Sequence, residues 1–383
     1  MKHTRLVLTG LILVAGILVA ACSGTATPPA ATSAPAQPAA AAPTTAQSAP
    51  AAPAAPAAPT SAPAAATTAT YNLKFTDHEP PGSPFNAVIQ KWADEINQKT
   101  GGKVKITIYP AETLAKGTDA VPAVKNGIAD MGWAIVAFFP GQFPMTEVFT
   151  LPVLGIPSSK VGADALWDVY SENKQMQNEW SSVHLVGFTV SGSQFIATSK
   201  KPVHTMADVK GLKLRVAGFG GTELFKDIGA SPVNIAPPDM YDAINKGVLD
   251  GCVFDWMGIQ SNKLNEVLNY ASVMPIVYQP QAVIMNKDKW NSLPPDIQKV
   301  FNEVGGKYLG EMAATGAFDM ADKEGVANFK KQNKEVITFS PDEVQKWTDA
   351  AKPVWAKWVE SAKAKGDSQA ALDQLMAAIA KNK

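Results

Sequence analysis

Hydrophobic and polar positions change rhythm twice before the chain settles into regular periods. Met1–Arg5 is polar and basic, with Lys2 and Arg5, and Leu6–Ala21 is a mostly apolar run of 16 residues ending in Val19-Ala20-Ala21-Cys22. The run is shorter than the roughly 20 residues that span a bilayer comfortably. A basic start, a short apolar core and small residues before a cut point describe a secretory signal over residues 1–21. Ser23–Thr70 contains only Ala, Pro, Thr, Ser, Gln and Gly, with ten prolines and neither charge nor aromatic ring. Such a segment cannot bury enough apolar surface to offset chain entropy, so residues 22–70 are expected to form no core. Proline biases the segment toward an extended form with an upper reach of roughly 150 Å.

From Tyr71 the pattern becomes that of a folded protein. Tyr71–Phe75 alternates like a strand, and Ser83 opens a helix with Phe85, Val88, Ile89, Trp92 and Ile96 at helical spacing, stopped by Gly101-Gly102. Val104–Tyr109 alternates again, Thr118–Asn126 reads as a helix ended by Gly127, and Ala129–Ile135 is an apolar strand. Strand, helix, strand, helix, strand predicts a mainly parallel sheet with helices on both faces, which binds ligands beyond the carboxyl ends of its strands. A second such unit begins near Ser191. Its elements are the short turn His204–Gly211, the strand Leu212–Val216, a helix from Thr222 to Ile228, the strand Pro232–Ile235, a helix capped by Asp239, and the strand Val248–Phe254. On the Leu212–Val216 strand, Leu212, Leu214 and Val216 share one face, and Lys213 and Arg215 point to the other. From about Leu293 the chain reads as nearly all helix, with Trp347, Trp355 and Trp358.

Composition narrows the chemistry. Residues 71–383 carry 32 Lys and Arg against all 34 Asp and Glu, a net charge of −2, which offers no basic excess for nucleic acid. Beyond Cys22 there is one cysteine, Cys252, expected to be a buried thiol, so no disulfide framework exists. The histidines His78, His184 and His204 are far apart, and no H-E-x-x-H, paired-cysteine or G-x-S-x-G motif occurs. Gly218-Phe219-Gly220-Gly221-Thr222-Glu223 has the outline of a dinucleotide loop. Its third glycine position is Glu223, whose carboxylate would repel a pyrophosphate. No enzyme, cofactor or metal is indicated by these residues.

Specific runs carry a resemblance. Asp208-Val209-Lys210-Gly211-Leu212-Lys213-Leu214-Arg215-Val216 is followed by Gly229-Ala230-Ser231-Pro232-Val233, Pro238-Asp239-Met240-Tyr241 and Lys246-Gly247-Val248-Leu249-Asp250-Gly251. The first half has Tyr109-Pro110 with Leu114, Lys125-Asn126-Gly127-Ile128-Ala129-Asp130, and Phe143-Pro144 through Leu151-Pro152. In this order they resemble the DctP-type solute-binding proteins of tripartite ATP-independent periplasmic (TRAP) transporters. Val19–Cys22 resembles a lipoprotein processing site, which implies lipidation of Cys22 and a tether outside the cytoplasm.

The resemblance implies two α/β lobes joined by crossing strands, lobe I over 71–190 with a return near 281–320, and lobe II over 191–280 with C-terminal helices over 321–383. It implies that Arg215 pairs with a ligand carboxylate, as a planar guanidinium can meet both oxygens at once. His78, after the first strand, and Trp133, near the end of its strand, are further ligand candidates. Phe254, Asp255 and Trp256 occupy the region of a second contact, and Gln194 stands where some relatives place another arginine. The absence of that second cation, with Asp255 nearby, points to a monocarboxylate with an apolar or aromatic body. The expected partners are this ligand and the small and large TRAP membrane subunits. An ABC-type binding lipoprotein or the sensor of a signalling receptor would use the same lobes, and neighbouring permease genes discriminate among the three.

Overall fold

The computed structural model describes residues 70–383; the signal segment, Cys22 and the Ala/Pro spacer, with the readings attached to them, lie outside the described residues. In chain order the strands are β1 (Tyr71–Thr76), β2 (Val104–Tyr109), β3 (Met131–Ile135), β4 (His184–Val190), β5 (Gln194–Thr198), β6 (Lys213–Arg215), β7 (Ser231–Val233), β8 (Gly251–Phe254), β9 (Tyr270–Val277), β10 (Pro280–Met285) and β11 (Glu335–Ile337). They form one sheet in the order β2-β1-β3-β10-β4 and another in the order β11-β9-β5-β8-β6-β7. The protein is therefore two α/β lobes, each with a parallel three-stranded core extended by antiparallel strands.

Local chemistry explains the elements. The Pro84–Lys99 helix begins where the Ser83 side chain accepts from the Asn86 N–H and Pro84 supplies a pre-set φ. Phe85, Val88, Ile89, Trp92 and Ile96 bury one stripe of it, and Gly101 and Gly102 end it at positive φ. The helix expected to be capped by Asp239 starts earlier, as Pro237–Asn245 with Ala236 at the cap. Pro237 takes the first helical position, where its missing N–H costs nothing, and Asp239 becomes a first-turn acid. The last helix, Ser368–Asn382, was expected with lobe II. It packs instead along the Ser159–Glu172 helix of lobe I, where Lys381 and Asn382 both reach Asp168 and Asn173 donates to Gln374.

Before the C-terminal helices, the chain crosses between lobes at three places. β4 passes through Ser191–Ser193 into β5, and β9 passes through Tyr278 and Gln279 into β10. At the crossing Ser191 N donates to Gln279 O (3.1 Å) and Gln279 N to Ser191 Oγ (3.0 Å). The third crossing is helical, from Gly306–Ala313 through a π-helical turn at Ala314–Phe318 into Asp319–Lys331. On it Asp319 accepts from Ser159 N and Lys160 N, and Asp322 from Ser193 N.

The two lobes repeat one another. Exchanging β1, β2, β3, β4 and β10 for β6, β7, β8, β9 and β5 maps one strand order onto the other. The detail persists at the turn before the third core strand. Gly127 and Gly247 both have positive φ, Ile128 and Val248 are exposed, and Asp130 and Asp250 each accept a strand N–H at 2.8 Å, from Lys74 and Lys213. In this correspondence Thr76, opposite Gly132, occupies the place of Arg215, opposite Cys252.

Candidate functional site

The carboxyl ends of the core strands meet between the lobes. From lobe I come His78 and Glu79 after β1 and Ile135 at the end of β3; from lobe II come Arg215, Ala217, Phe254 and Asp255 after β6 and β8. The crossings add Gln194, Gln279 and Gln281. These residues line a slot with about 400 Å³ between atoms, mouth included, of which about 20 Å³ admits the centre of a water molecule. Little open space is thus left between the lobes.

Arg215 is 2% exposed. Its Nε donates to Ile235 O (3.2 Å), its guanidinium carbon lies 5.0 Å from the centre of the Phe254 ring, and its buried Nη1 has no protein partner. Among the described residues no carboxylate stands within ion-pair distance of it. Burial lowers its pKa to about 10, which leaves it cationic at neutral pH. A desolvated cation with a free N–H beside a cavity attracts an anion strongly, because little water competes.

The facing wall is aromatic. Trp133 stacks between His78 (4.6 Å, 9°) and Phe85 (3.7 Å, 21°), and its indole N–H donates to Thr189 Oγ1 (3.2 Å), which donates to Gln281 Oε1 (2.9 Å). The ring plane is thereby fixed from both sides. His78 is buried with neither nitrogen hydrogen-bonded, and burial, followed by the charge of Arg215, lowers its pKa to about 3. Glu79 is pushed the other way, to about 8, by burial and then by Asp77 and Asp255. The 3.8 Å approach of His78 Nε2 to Glu79 Oε1 is therefore a contact between two neutral groups at pH 7. Asp255, raised to about 6 mainly by burial, caps the Trp256–Ser261 helix by accepting from Gly258 N (2.8 Å).

Six of the seven ligand candidates, Arg215, His78, Trp133, Gln194, Phe254 and Asp255, border this cavity. Trp256 does not. It is the first residue of its helix, and its ring packs on Phe195 (4.5 Å) and Phe329 (5.5 Å). Sequence reasoning missed Glu79, Gln279 and Gln281. The two glutamines have a signal in retrospect, since they alternate across Pro280 where a strand changes sheet. Arg215 had a stronger one: it is one of two arginines in the entire chain, the other being Arg5, while lysine supplies every other such cation.

The acids make a prediction for the unliganded protein. Asp77 and Asp255 are raised to about 6, Asp322 to about 7 and Glu79 to about 8, all mainly by burial. The folded state therefore holds protons that the unfolded chain releases near pH 4, and stability falls as pH rises through the folded values. His78 and His184, lowered to about 3 and 4, oppose this below pH 6.5 and are neutral in both states above it. Urea midpoints are expected to decrease from about pH 6.5 to 8; a rise across that interval would contradict the buried-acid assignment.

Comparisons with known proteins bear on the family and the fold. The DctP family, described as bacterial extracellular solute-binding protein, family 7, matches residues 75–362. A TRAP solute-binding protein from Rhodoferax ferrireducens, crystallised with copurified benzoate, is 26% identical with a TM-score of 0.77, covering 82% of this chain and 98% of its own. One from Bordetella bronchiseptica with bound mandelate is 27% identical with a TM-score of 0.76, covering 82% and 99%. The C4-dicarboxylate-binding periplasmic protein DctP of Vibrio cholerae is 25% identical over 290 residues, 74% of this chain and 83% of that protein.

Proposed function

We propose, from the premise that this chain belongs to the DctP family of bacterial extracellular solute-binding proteins, that its cleft captures an aromatic monocarboxylate. The protein is a carboxylate-binding component of a TRAP transporter and not an enzyme. The finer reading rests on one observation: a single buried guanidinium with a free Nη1 borders a cavity whose lining includes Trp133, His78 and Phe254. One cation matches one carboxylate, and the aromatic side chains among the lining residues suit an aromatic body. A second carboxylate would find no second cation among the lining residues.

Ligand contacts to both lobes favour the closed form by their differential free energy, and the closed protein is what the membrane subunits receive. Lipid on Cys22 would hold the protein at the membrane, and the Ala/Pro spacer would keep it within reach of those subunits at raised local concentration. Calorimetry with benzoate, phenylacetate, mandelate, succinate and malate tests the ligand class. The aromatic acids are expected to bind and to raise the melting temperature. Tight binding of succinate or malate with none of the aromatic acids would overturn the proposal.

A further inference from the structure

The cavity holds more unpaired polarity than a plain aromatic acid can satisfy. Besides Arg215 Nη1, the buried Glu79 Oε2, Gln194 Oε1, Gln279 Oε1 and both ring nitrogens of His78 lack a protein partner. A ligand carboxylate only accepts hydrogen bonds, so it can satisfy Arg215 but not the amide oxygens or an acceptor nitrogen. An unpaired buried polar group is costly, which makes such a set a description of the missing complement. That complement is an uncharged group able to donate and accept, such as a hydroxyl.

Resting on the aromatic-monocarboxylate reading, we infer that Glu79 is the specificity-determining residue that hydrogen-bonds an uncharged hydroxyl of the ligand. The loop after β1 holds it in place: Glu79 N donates to Asp77 Oδ1 (3.0 Å), Asp77 Oδ2 accepts from Asn86 (3.0 Å), and Ala111 N donates to Glu79 O (2.8 Å). The residue is 4% exposed and borders the cavity opposite lobe II. The groups around it explain why it keeps its proton. Asp77 and His78 flank it on its own loop, Asp255 and Arg215 face the cavity from lobe II, and the hydroxyls of Ser83 and Ser261 exert the opposing, smaller influence. With two carboxyls near and its one close base neutral, burial decides the outcome, and the pKa of about 8 keeps the group protonated at neutral pH. Once ionised, Glu79 would share a poorly solvated slot with the ligand carboxylate.

Calorimetry with mandelate and phenylacetate, which differ by one hydroxyl, tests this on the wild type, Glu79→Gln and Glu79→Leu at pH 6.5 and 9.0. The wild type is expected to prefer mandelate by about tenfold at pH 6.5, the worth of one hydrogen bond to a buried partner. Its affinity is expected to fall about tenfold by pH 9.0, following the protonated fraction. Glu79→Gln keeps a neutral donor and acceptor and should retain the preference while losing that pH dependence. This variant also accounts for any titration of Arg215 or Asp255. Glu79→Leu should bind both acids without preference. A wild type with no mandelate preference, a Glu79→Leu protein that keeps it, or an equal pH slope in Glu79→Gln would overturn the inference. Failure of both acids to bind any of the proteins would overturn the aromatic reading beneath it.

Discussion

Arg215→Ala is expected to abolish ligand binding, weakening it by at least about 100-fold, while the protein still folds. The magnitude follows from removing the sole cation of a desolvated site, where a charge-assisted bidentate pair is worth several kcal/mol. The intact fold follows from how little holds the side chain: one hydrogen bond to Ile235 O and the face of Phe254. A buried cation with an unpaired N–H is a burden on the unliganded fold, so its removal should leave the apo melting temperature unchanged or slightly higher. The ligand-induced rise in melting temperature should vanish. Arg215→Lys should recover little, because an ammonium cannot present two parallel N–H groups and loses its charge more readily when buried. Calorimetry and thermal shift on the two variants read these outcomes. Affinity within threefold of the wild type in Arg215→Ala would remove the guanidinium from the site.

Gly220→Ala is expected to hold the lobes apart. A Cβ on Gly220 would lie 2.2 Å from Thr150 O and 2.6 Å from Leu151 Cα, across the junction between the lobes. Backbone atoms cannot retreat as the tip of a side chain can, and Gly220 N also donates to Thr150 Oγ1 (3.3 Å). Within lobe II the change is mild, since Gly220 lies in the Phe219–Asp227 helix, where alanine is the better helix former. The variant should therefore fold at least as stably, populate an open form, and bind ligand about 10–100-fold more weakly, the closed state having become a minor population. Solution scattering with saturating ligand should show a larger radius of gyration than the wild type. Full compaction and unchanged affinity would mean that this contact does not limit closure. The central glycine of the nucleotide-loop outline is thus explained without a phosphate: Gly220 allows two backbones to meet.

Much of the architecture was readable because local signals agreed with tertiary ones. Ser83, Pro84 and the stripe from Phe85 to Ile96 specify a helix by cap, start and period together. Arg215 was readable through its motif and its strand face, though alternation predicts only that it points away from Leu214. That this direction leads into a closed cleft is a property of the other lobe. Glu79 left no trace for the same reason: an acid after a strand is ordinarily solvated, and here it is buried by residues from Ser83 to Asp255. Trp256 was misplaced because its position beside Asp255 in the sequence does not show which way its ring turns, and the ring packs on Phe195 and Phe329. The final helix was misassigned because amphipathicity reports that a face is buried but not against which lobe. Its side-chain bonds to Asp168 and Asn173 span more than 200 residues.

The duplication of the lobes has an effect on the order of events during capture. Thr76 and Arg215 occupy matching places, yet only one of them carries charge. On the proposed reading the receptor is polarised: a guest arriving at the gaping form has a single half whose cation can anchor its anionic head, and its other end is left for the opposite half. Shutting then becomes a second, unimolecular event whose speed need not depend on how much solute is present.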